Sequence, residues 1–212
     1  MTPRPPPKDL IVLAADGQIE FAIKGLLTRG LSLQFREVTC DIYTHPAKDP
    51  GCFLRGHDFL RLFHRQYAHA LVVFDREGCG RQALPRPALE ADLEQRLAAS
   101  GWRDRAAAVA IDPELEVWVW SDSPEVDAAL GWTGRSPALA AWLLSEGYCT
   151  AAGTKPLSPK KALEHALRLA QKRRSSAIYR QLAERVSAHR CIDPAFLKLK
   201  TLMRTWFAAL EP

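Results

Sequence analysis

The sequence predicts an α/β fold, with a mainly parallel sheet flanked by helices and a helical C-terminal part. Three short apolar runs, at residues 10–15, 70–74 and 106–111, are typical of buried strands. Apolar residues at helical spacing lie between these runs, and alternating strands and helices are typical of a parallel sheet covered by helices. After residue 124 we find no convincing strand, since the later segments begin with a capping residue and a proline and carry apolar residues at helical spacing, so we expect only helices there.

The first predicted strand ends at Asp16-Gly17, a pair typical of a tight turn. Ile19, Ile23 and Leu26 then recur on one face of a helix. This spacing predicts a helix over residues 18–29 that packs back on the strand.

The next segment is less apolar. Residues 31–42 alternate between apolar and polar side chains, which predicts a more exposed strand. Proline and glycine in residues 44–55 predict a loop, and residues 56–67 are predicted to be helical. After the buried strand at residues 70–74, Pro87 is suited to the first turn of another helix.

The third buried strand, residues 106–111, is followed by Asp112-Pro113. An acidic residue before a proline is typical of a helix start, and it predicts a short helix over residues 114–122. The same combination of a capping residue and a proline predicts three later helices, which begin at Ser136-Pro137, Ser158-Pro159 and Asp193-Pro194.

These patterns divide the 212-residue chain into three parts. We expect a flexible N-terminal lead at residues 1–8, an α/β core at residues 9–122, and a helical part at residues 123–212 packed on that core. A hydrophobic content of 47% is ample for a core and excludes a disordered chain.

Composition also bears on location and partners. The net charge of +5 is compatible with an anionic partner such as nucleic acid without requiring one. The five cysteines are scattered and form no CxxC pair, which favours reduced thiols. The sequence has neither a signal peptide nor an apolar run long enough to cross a bilayer, so we expect a cytoplasmic protein that does not interact with membranes.

Acidic residues follow each of the three predicted buried strands, and the carboxyl ends of parallel strands meet at one edge of a sheet. Clustered carboxylates take up protons or bind a cation, and oxygen ligands suit Mg²⁺ or Mn²⁺. Each group also has a simpler explanation, since turns and helix starts favour acids. The acids are Asp16 and Glu20 after the first strand, Asp75 and Glu77 after the second, and Asp112, Glu114 and Glu116 after the third.

Three lysines, Lys155, Lys160 and Lys161, lie near the predicted start of a later helix. They are candidates for contacts with nucleic-acid phosphates. A run of charges on a helix is also typical of a solvated face, and the sequence leaves both interpretations open.

Three segments resemble motifs of the TOPRIM family, the metal-binding module of topoisomerases, primases and overcoming-lysogenization-defect nucleases. Asp16-Gly17-Gln18-Ile19-Glu20 resembles its Glu-Gly-x-x-Glu element, with aspartate in place of the first glutamate. Val72-Val73-Phe74-Asp75-Arg76-Glu77 resembles the segment with its Asp-x-Asp element, with glutamate in place of the second aspartate. Residues 113–118 resemble a Pro-x-x-Glu-x-Trp element of small TOPRIM-like proteins from methylation-associated anti-phage defence systems, which aligns Glu116 with the family acid.

The resemblance covers roughly residues 9–122 and implies a divalent-metal-dependent nuclease, or a nuclease subunit, that acts on nucleic-acid phosphodiesters in bacterial anti-phage defence. It implies Mg²⁺ or Mn²⁺ as the cofactor. The implied metal ligands are Asp16, Glu20, Asp75, Glu77 and Glu116, of which Glu20, Asp75 and Glu77 are the implied catalytic residues.

Two alternatives remain at this stage. The chain has no GxxxxGK[ST] motif for nucleotide hydrolysis, which favours a non-catalytic adaptor or regulatory subunit of a multi-protein defence complex. A metal-binding regulator without turnover is the other alternative. The expected partners are other defence-system proteins and nucleic acid, and a homo-oligomer is compatible with the sequence.

Overall fold

A computed structural model describes residues 7–151, 155–187 and 191–209 of the chain. Its centre is a sheet of four parallel strands in the order β2-β1-β3-β4. The strands are β1 (Lys8–Ala14), β2 (Cys40–Thr44), β3 (Tyr67–Asp75) and β4 (Ala106–Ile111). The predicted α/β class, with a parallel sheet and C-terminal helices, is confirmed.

Helices cover the sheet and make up the C-terminal part. In chain order they are α1 (Gly17–Leu27), α2 (Gly30–Leu33), α3 (Lys48–Arg61), α4 (Arg86–Leu97), α5 (Pro124–Leu130), α6 (Leu139–Ser145), α7 (Pro159–Leu169), α8 (Ser176–Arg185) and α9 (Pro194–Trp206). None of the helices in the described ranges combines the length and the apolar character needed to cross a membrane.

The three predicted buried strands correspond to β1, β3 and β4. Their central side chains are fully buried because helices pack on both faces of a parallel sheet. Lys8 already belongs to β1, so ordered structure begins within the predicted lead, of which residues 1–6 lie outside the described part of the chain.

The segment between α1 and β3 differs from its prediction. Instead of one exposed strand over residues 31–42, the chain forms the single turn of α2, which ends where Gln34 adopts a left-handed conformation, and then β2. The alternating apolar residues of this segment belong partly to α2 and partly to the extended chain after it. Alternation alone therefore could not distinguish a short helix followed by an extended chain from one continuous strand.

Helix α3 begins inside the segment predicted as a loop. Pro50 is compatible with the helix because it lies in the first turn, where its missing N–H has no helical partner. Gly51 is required by close packing, since a Cβ atom there would lie 2.0 Å from Nδ1 of His45. The proline and glycine therefore belong to the start of a helix.

The helix predicted over residues 114–122 is a single 3₁₀ turn, Leu115–Trp118. The carboxylate of Asp112 does not cap it but accepts a hydrogen bond from Nε of Arg76 at 2.8 Å. Glu114 is extended and occupies the capping position without a side-chain hydrogen bond to the turn.

The predicted C-terminal helix starts are largely reproduced. Pro159 opens α7, and Asp193 caps α9 by accepting from the N–H groups of Ala195 and Phe196. Ser136-Pro137 precedes α6, which begins at Leu139 without a side-chain cap. Helix α8 packs closely along α1 and brings the C-terminal part against the first βα unit.

Candidate metal centre

Three carboxylates meet beyond the carboxyl ends of β3 and β4. One oxygen each of Asp75, Glu114 and Glu116 lies within 4.8 Å of the others. Asp75 is the last residue of β3, and the two glutamates belong to the segment that leaves β4. Parallel strands end at the same sheet edge, which explains how Asp75 meets two glutamates that follow it by 39 and 41 positions in the sequence.

Asp75 is fixed by two hydrogen bonds. Its backbone N–H donates to Oδ1 of Asp49 at 2.8 Å, and its own Oδ1 accepts from the N–H of Leu115 at 2.9 Å. Burial raises the pKa of the Asp75 carboxyl well above its ordinary value, and the nearby carboxylates of Asp49, Glu116, Asp16 and Glu114 raise it further. A proton or a cation is therefore stabilised at this position.

Asp49 is an acid of this site that the sequence analysis missed. It occupies the first turn of α3, and burial raises the pKa of its carboxyl. The hydrogen bond to Asp75 accounts for its inward position. An acid in the first turn of a helix is the signal that could have identified it, but the segment was predicted to be a loop.

Glu116 is almost fully buried, and side chains of α8 and of the segment before α8 bind its carboxylate. Its Oε1 accepts a hydrogen bond from Oη of Tyr179 at 2.7 Å and pairs with the Arg174 guanidinium. Arg174 also donates to Oε1 of Gln18 at 2.8 Å and to Oε1 of Glu164 at 3.0 Å. The C-terminal part therefore supplies the positive charge and the hydroxyl that position Glu116.

Glu114 lies between Glu116 and a lysine of α7. Its Oε2 is 3.3 Å from Nζ of Lys160. Burial raises the pKa of the Glu114 carboxyl, and the charge of Glu116 raises it further. Glu114 is among the acids that follow the third predicted strand in the sequence, although the TOPRIM resemblance implies only Glu116 as a ligand in that segment.

The other predicted ligands have different surroundings. Oδ1 of Asp16 accepts from the N–H groups of Gln18 and Ile19 and so caps α1, although its charge still acts on Asp75. Glu20 pairs with Lys24 one turn along α1, at 2.5 Å. Glu77 is exposed, beyond the end of β3.

Two of the three predicted phosphate-contacting lysines lie against the segment that carries the glutamates. Lys155 donates to the carbonyl of Val117 at 2.7 Å, and Lys160 contacts Glu114 as described above. Lys161 is an exposed residue of α7. Among the described contacts of these lysines, Lys160 is thus the one that reaches a carboxylate of the candidate metal centre.

The donor set fits a hard divalent cation. All three groups are carboxylates, and Mg²⁺ and Mn²⁺ prefer oxygen ligands. Within the described residues, hydrogen bonds engage Oδ1 of Asp75 and Oε1 of Glu116, while Oδ2 and Oε2 of these two residues accept none. Each of these two carboxylates therefore has an oxygen available to a ligand.

Comparisons with known proteins assign no role to these residues. No family model, curated protein or solved structure matches the chain. The chemistry of the acidic site and its cationic neighbours is therefore the main guide to function.

Proposed function

We propose that this chain is a divalent-metal-dependent, TOPRIM-like nuclease or nuclease subunit that acts on nucleic-acid phosphodiesters in bacterial anti-phage defence. The observation that carries the proposal is the meeting of Asp75, Glu114 and Glu116 at the carboxyl edge of the sheet. The resemblance of the flanking segments to TOPRIM motifs adds the substrate class and the biological setting.

The raised pKa of Asp75 supports a cation site. Four carboxylates surround this partly buried group, and the repulsion among them is relieved when a proton or a cation binds. A bound Mg²⁺ or Mn²⁺ would supply positive charge to a phosphate oxygen and lower the pKa of a water molecule. Asp75 and Glu114 would hold the ion, and Glu116 would contribute its second carboxylate oxygen.

The cationic residues next to the carboxylates suit an anionic substrate. Lys160 has a side chain that is 47% exposed beside Glu114, so it can exchange this contact for a phosphate oxygen. Arg174 is held by Glu116, Glu164 and Gln18 and keeps Glu116 in a fixed orientation. We propose that Lys160 binds substrate phosphate and that Arg174 positions Glu116.

Metal binding is tested first by thermal denaturation with and without Mg²⁺ or Mn²⁺. We expect either ion to raise the Tm of the wild type, because a ligand that binds only the folded state stabilises it. Asp75→Asn should lose the increase, whereas Asp104→Asn, an exposed control before β4, should retain it. Equal increases in wild type and Asp75→Asn would refute the site.

Catalysis needs a second experiment. Purified protein is incubated with single- and double-stranded DNA and RNA in the presence of Mn²⁺ or of a chelator. We expect metal-dependent cleavage that Asp75→Asn and Glu114→Gln reduce at least about a hundredfold, as for loss of groups that hold a catalytic ion. Metal binding without cleavage of any substrate would reject the isolated chain as a nuclease and leave the nuclease-subunit proposal.

One observation favours a non-catalytic adaptor or regulatory subunit as a second candidate. Arg174 and Tyr179 already neutralise and hydrogen-bond Glu116, so part of the cluster is stabilised without a metal. Co-expression with the neighbouring gene products distinguishes the two candidates. The adaptor predicts a stable complex and full defence activity in the Asp75→Asn and Glu114→Gln variants, whereas the nuclease predicts loss of defence in both.

A further inference from the structure

Tyr179, which donates a hydrogen bond to Glu116, also lines a cavity next to the acidic cluster. This cavity of about 680 Å³ lies between α1, α8, the 3₁₀ turn and the start of α9. Volumes in this range are typical of pockets for small organic ligands. The cavity shares Tyr179 and Leu115 with the surroundings of the acidic cluster, but none of the three clustered carboxylates lines it.

Aromatic side chains form one wall of the cavity, and hydrogen bonds hold two of them in place. Nε1 of Trp118 donates to Oδ1 of Asp193 at 2.9 Å, and its ring meets that of Phe196 edge to face at 5.5 Å. Nε1 of Trp120 donates to the carbonyl of Pro159 at 3.0 Å. These partners fix the indole rings, so a flat ligand meets a preformed surface.

Two cations also line the cavity. Nη1 of Arg29 donates to the carbonyls of Ala183 and Val186, and Lys155 donates one of its three N–H groups to the carbonyl of Val117. Within the described ranges, neither cation has a carboxylate oxygen within 4.0 Å, although both side chains are partly buried. Their positive charges are therefore available to an anionic ligand.

The acids that line the cavity do not cancel this charge. Asp193 accepts from Trp118 and from two backbone N–H groups at the start of α9, so its carboxylate is already engaged. Asp122 is exposed. The cavity thus combines rigid aromatic rings with two cations whose hydrogen-bond partners, among the residues that the structure describes, are neutral carbonyls.

We propose that this cavity binds a nucleotide, with the base against Trp118 and the phosphate held by Lys155 and Arg29. A nucleotide combines the flat aromatic group and the anionic group that these walls recognise, and stacking on aromatic side chains accepts any base. The proposal does not depend on the metal site, because none of the clustered carboxylates contributes to the cavity.

Equilibrium titration of the full chain with AMP, GMP, CMP and UMP, in buffer containing a chelator, tests the proposal. We expect saturable binding of at least one mononucleotide and about tenfold weaker binding of the matching nucleoside, since a phosphate adds charge-assisted hydrogen bonds. Saturable binding of none of them at millimolar concentration, or equal binding of nucleotide and nucleoside, would overturn it.

Variants locate the binding. Lys155→Ala should weaken nucleotide binding about tenfold, whereas Lys161→Ala removes an exposed lysine outside the cavity and should not change it. Ser121→Trp places a large ring at an exposed position of the lining and should abolish binding while the Tm stays near that of wild type.

Three further outcomes test the nucleotide assignment. Asp75→Asn should bind nucleotide as tightly as the wild type does. Unchanged affinity in this variant would show that the cavity binds nucleotide independently of the metal centre, whether or not that centre binds a metal. Equal nucleotide affinities in Lys155→Ala and Lys161→Ala, or saturable binding of a long-chain aliphatic carboxylate by a protein that binds no nucleotide, would contradict the nucleotide assignment.

Discussion

The carboxylate of Asp49 accepts a hydrogen bond from the backbone N–H of Asp75 at 2.8 Å, which ties the start of α3 to the end of β3. This contact brings a second acid next to the most strongly perturbed carboxyl of the site, and the charge of Asp49 raises the pKa of Asp75. One residue therefore both positions Asp75 and favours its protonated form.

Asp49→Asn should lower the pKa of Asp75. Asparagine keeps an oxygen that can accept the backbone hydrogen bond but removes the negative charge, so ionisation of Asp75 becomes less unfavourable. Carbon-detected NMR titration of the Asp75 carboxyl measures the change. Asp58→Asn, which removes an exposed acid of the same helix, is the control and should leave the titration unchanged. An unchanged or raised Asp75 pKa in Asp49→Asn would contradict this role.

The wild type without metal should lose stability as the pH rises through the folded-state pKa of Asp75. Because this pKa is raised in the folded protein, the folded state binds more protons than the unfolded state above the ordinary value of 3.8. The contribution of Asp75 to stability is therefore complete below that value and is lost towards higher pH. Each unit of pKa difference corresponds to about 1.4 kcal/mol.

Asp75→Asn should remove this part of the pH dependence. Asparagine can still accept the N–H of Leu115 but cannot ionise, so the free energy of unfolding at neutral pH should exceed that of the wild type in chelator. Urea denaturation from acidic to neutral pH measures both proteins. A steeper fall in stability with rising pH for Asp75→Asn than for wild type would contradict the raised pKa of Asp75 in the folded protein.

Arg174→Gln should destabilise the fold by about 3 kcal/mol, because it leaves the buried carboxylate of Glu116 without its ionic partner. Arg173→Gln is the matched control, since Arg173 is the exposed neighbour in sequence. Urea denaturation provides the free energies of unfolding. Combining Arg174→Gln with Glu116→Gln should recover part of the loss, and strictly additive effects would show that the two side chains do not interact.

Gly25→Ala should destabilise the protein although alanine favours helices by about 1 kcal/mol over glycine. A Cβ atom at this position of α1 would lie 2.7 Å from the carbonyl oxygen of Arg180 and 2.8 Å from Cβ of Ala183, so α1 and α8 must separate. Gly17→Ala is the control, with its nearest contact at 3.6 Å. Thermal denaturation should show a lower Tm for Gly25→Ala alone, and an unchanged Tm would contradict the close packing.

The sheet was predictable because strands buried on both faces are continuous apolar runs, as in β1, β3 and β4. The edge strand β2 and the start of α3 were less predictable. Alternation before β2 is compatible with more than one structure, and Pro50 and Gly51 are typical of loops unless the contact with His45 is known. Local patterns therefore failed where packing between elements decided the conformation.

The sequence by itself determined the α/β class and placed acids after three buried strands, since both depend on residues close together in the chain. The tertiary structure decided which acids meet. In the folded protein Asp49 points towards Asp75, and Asp16 caps α1. Glu20 pairs with Lys24, and Glu77 is exposed. The tertiary structure also brought Arg174 and Tyr179 to Glu116 from 58 and 63 residues away. Such long-range contacts depend on the packing of α8 and the segment before it against the sheet edge, which no short stretch of sequence encodes.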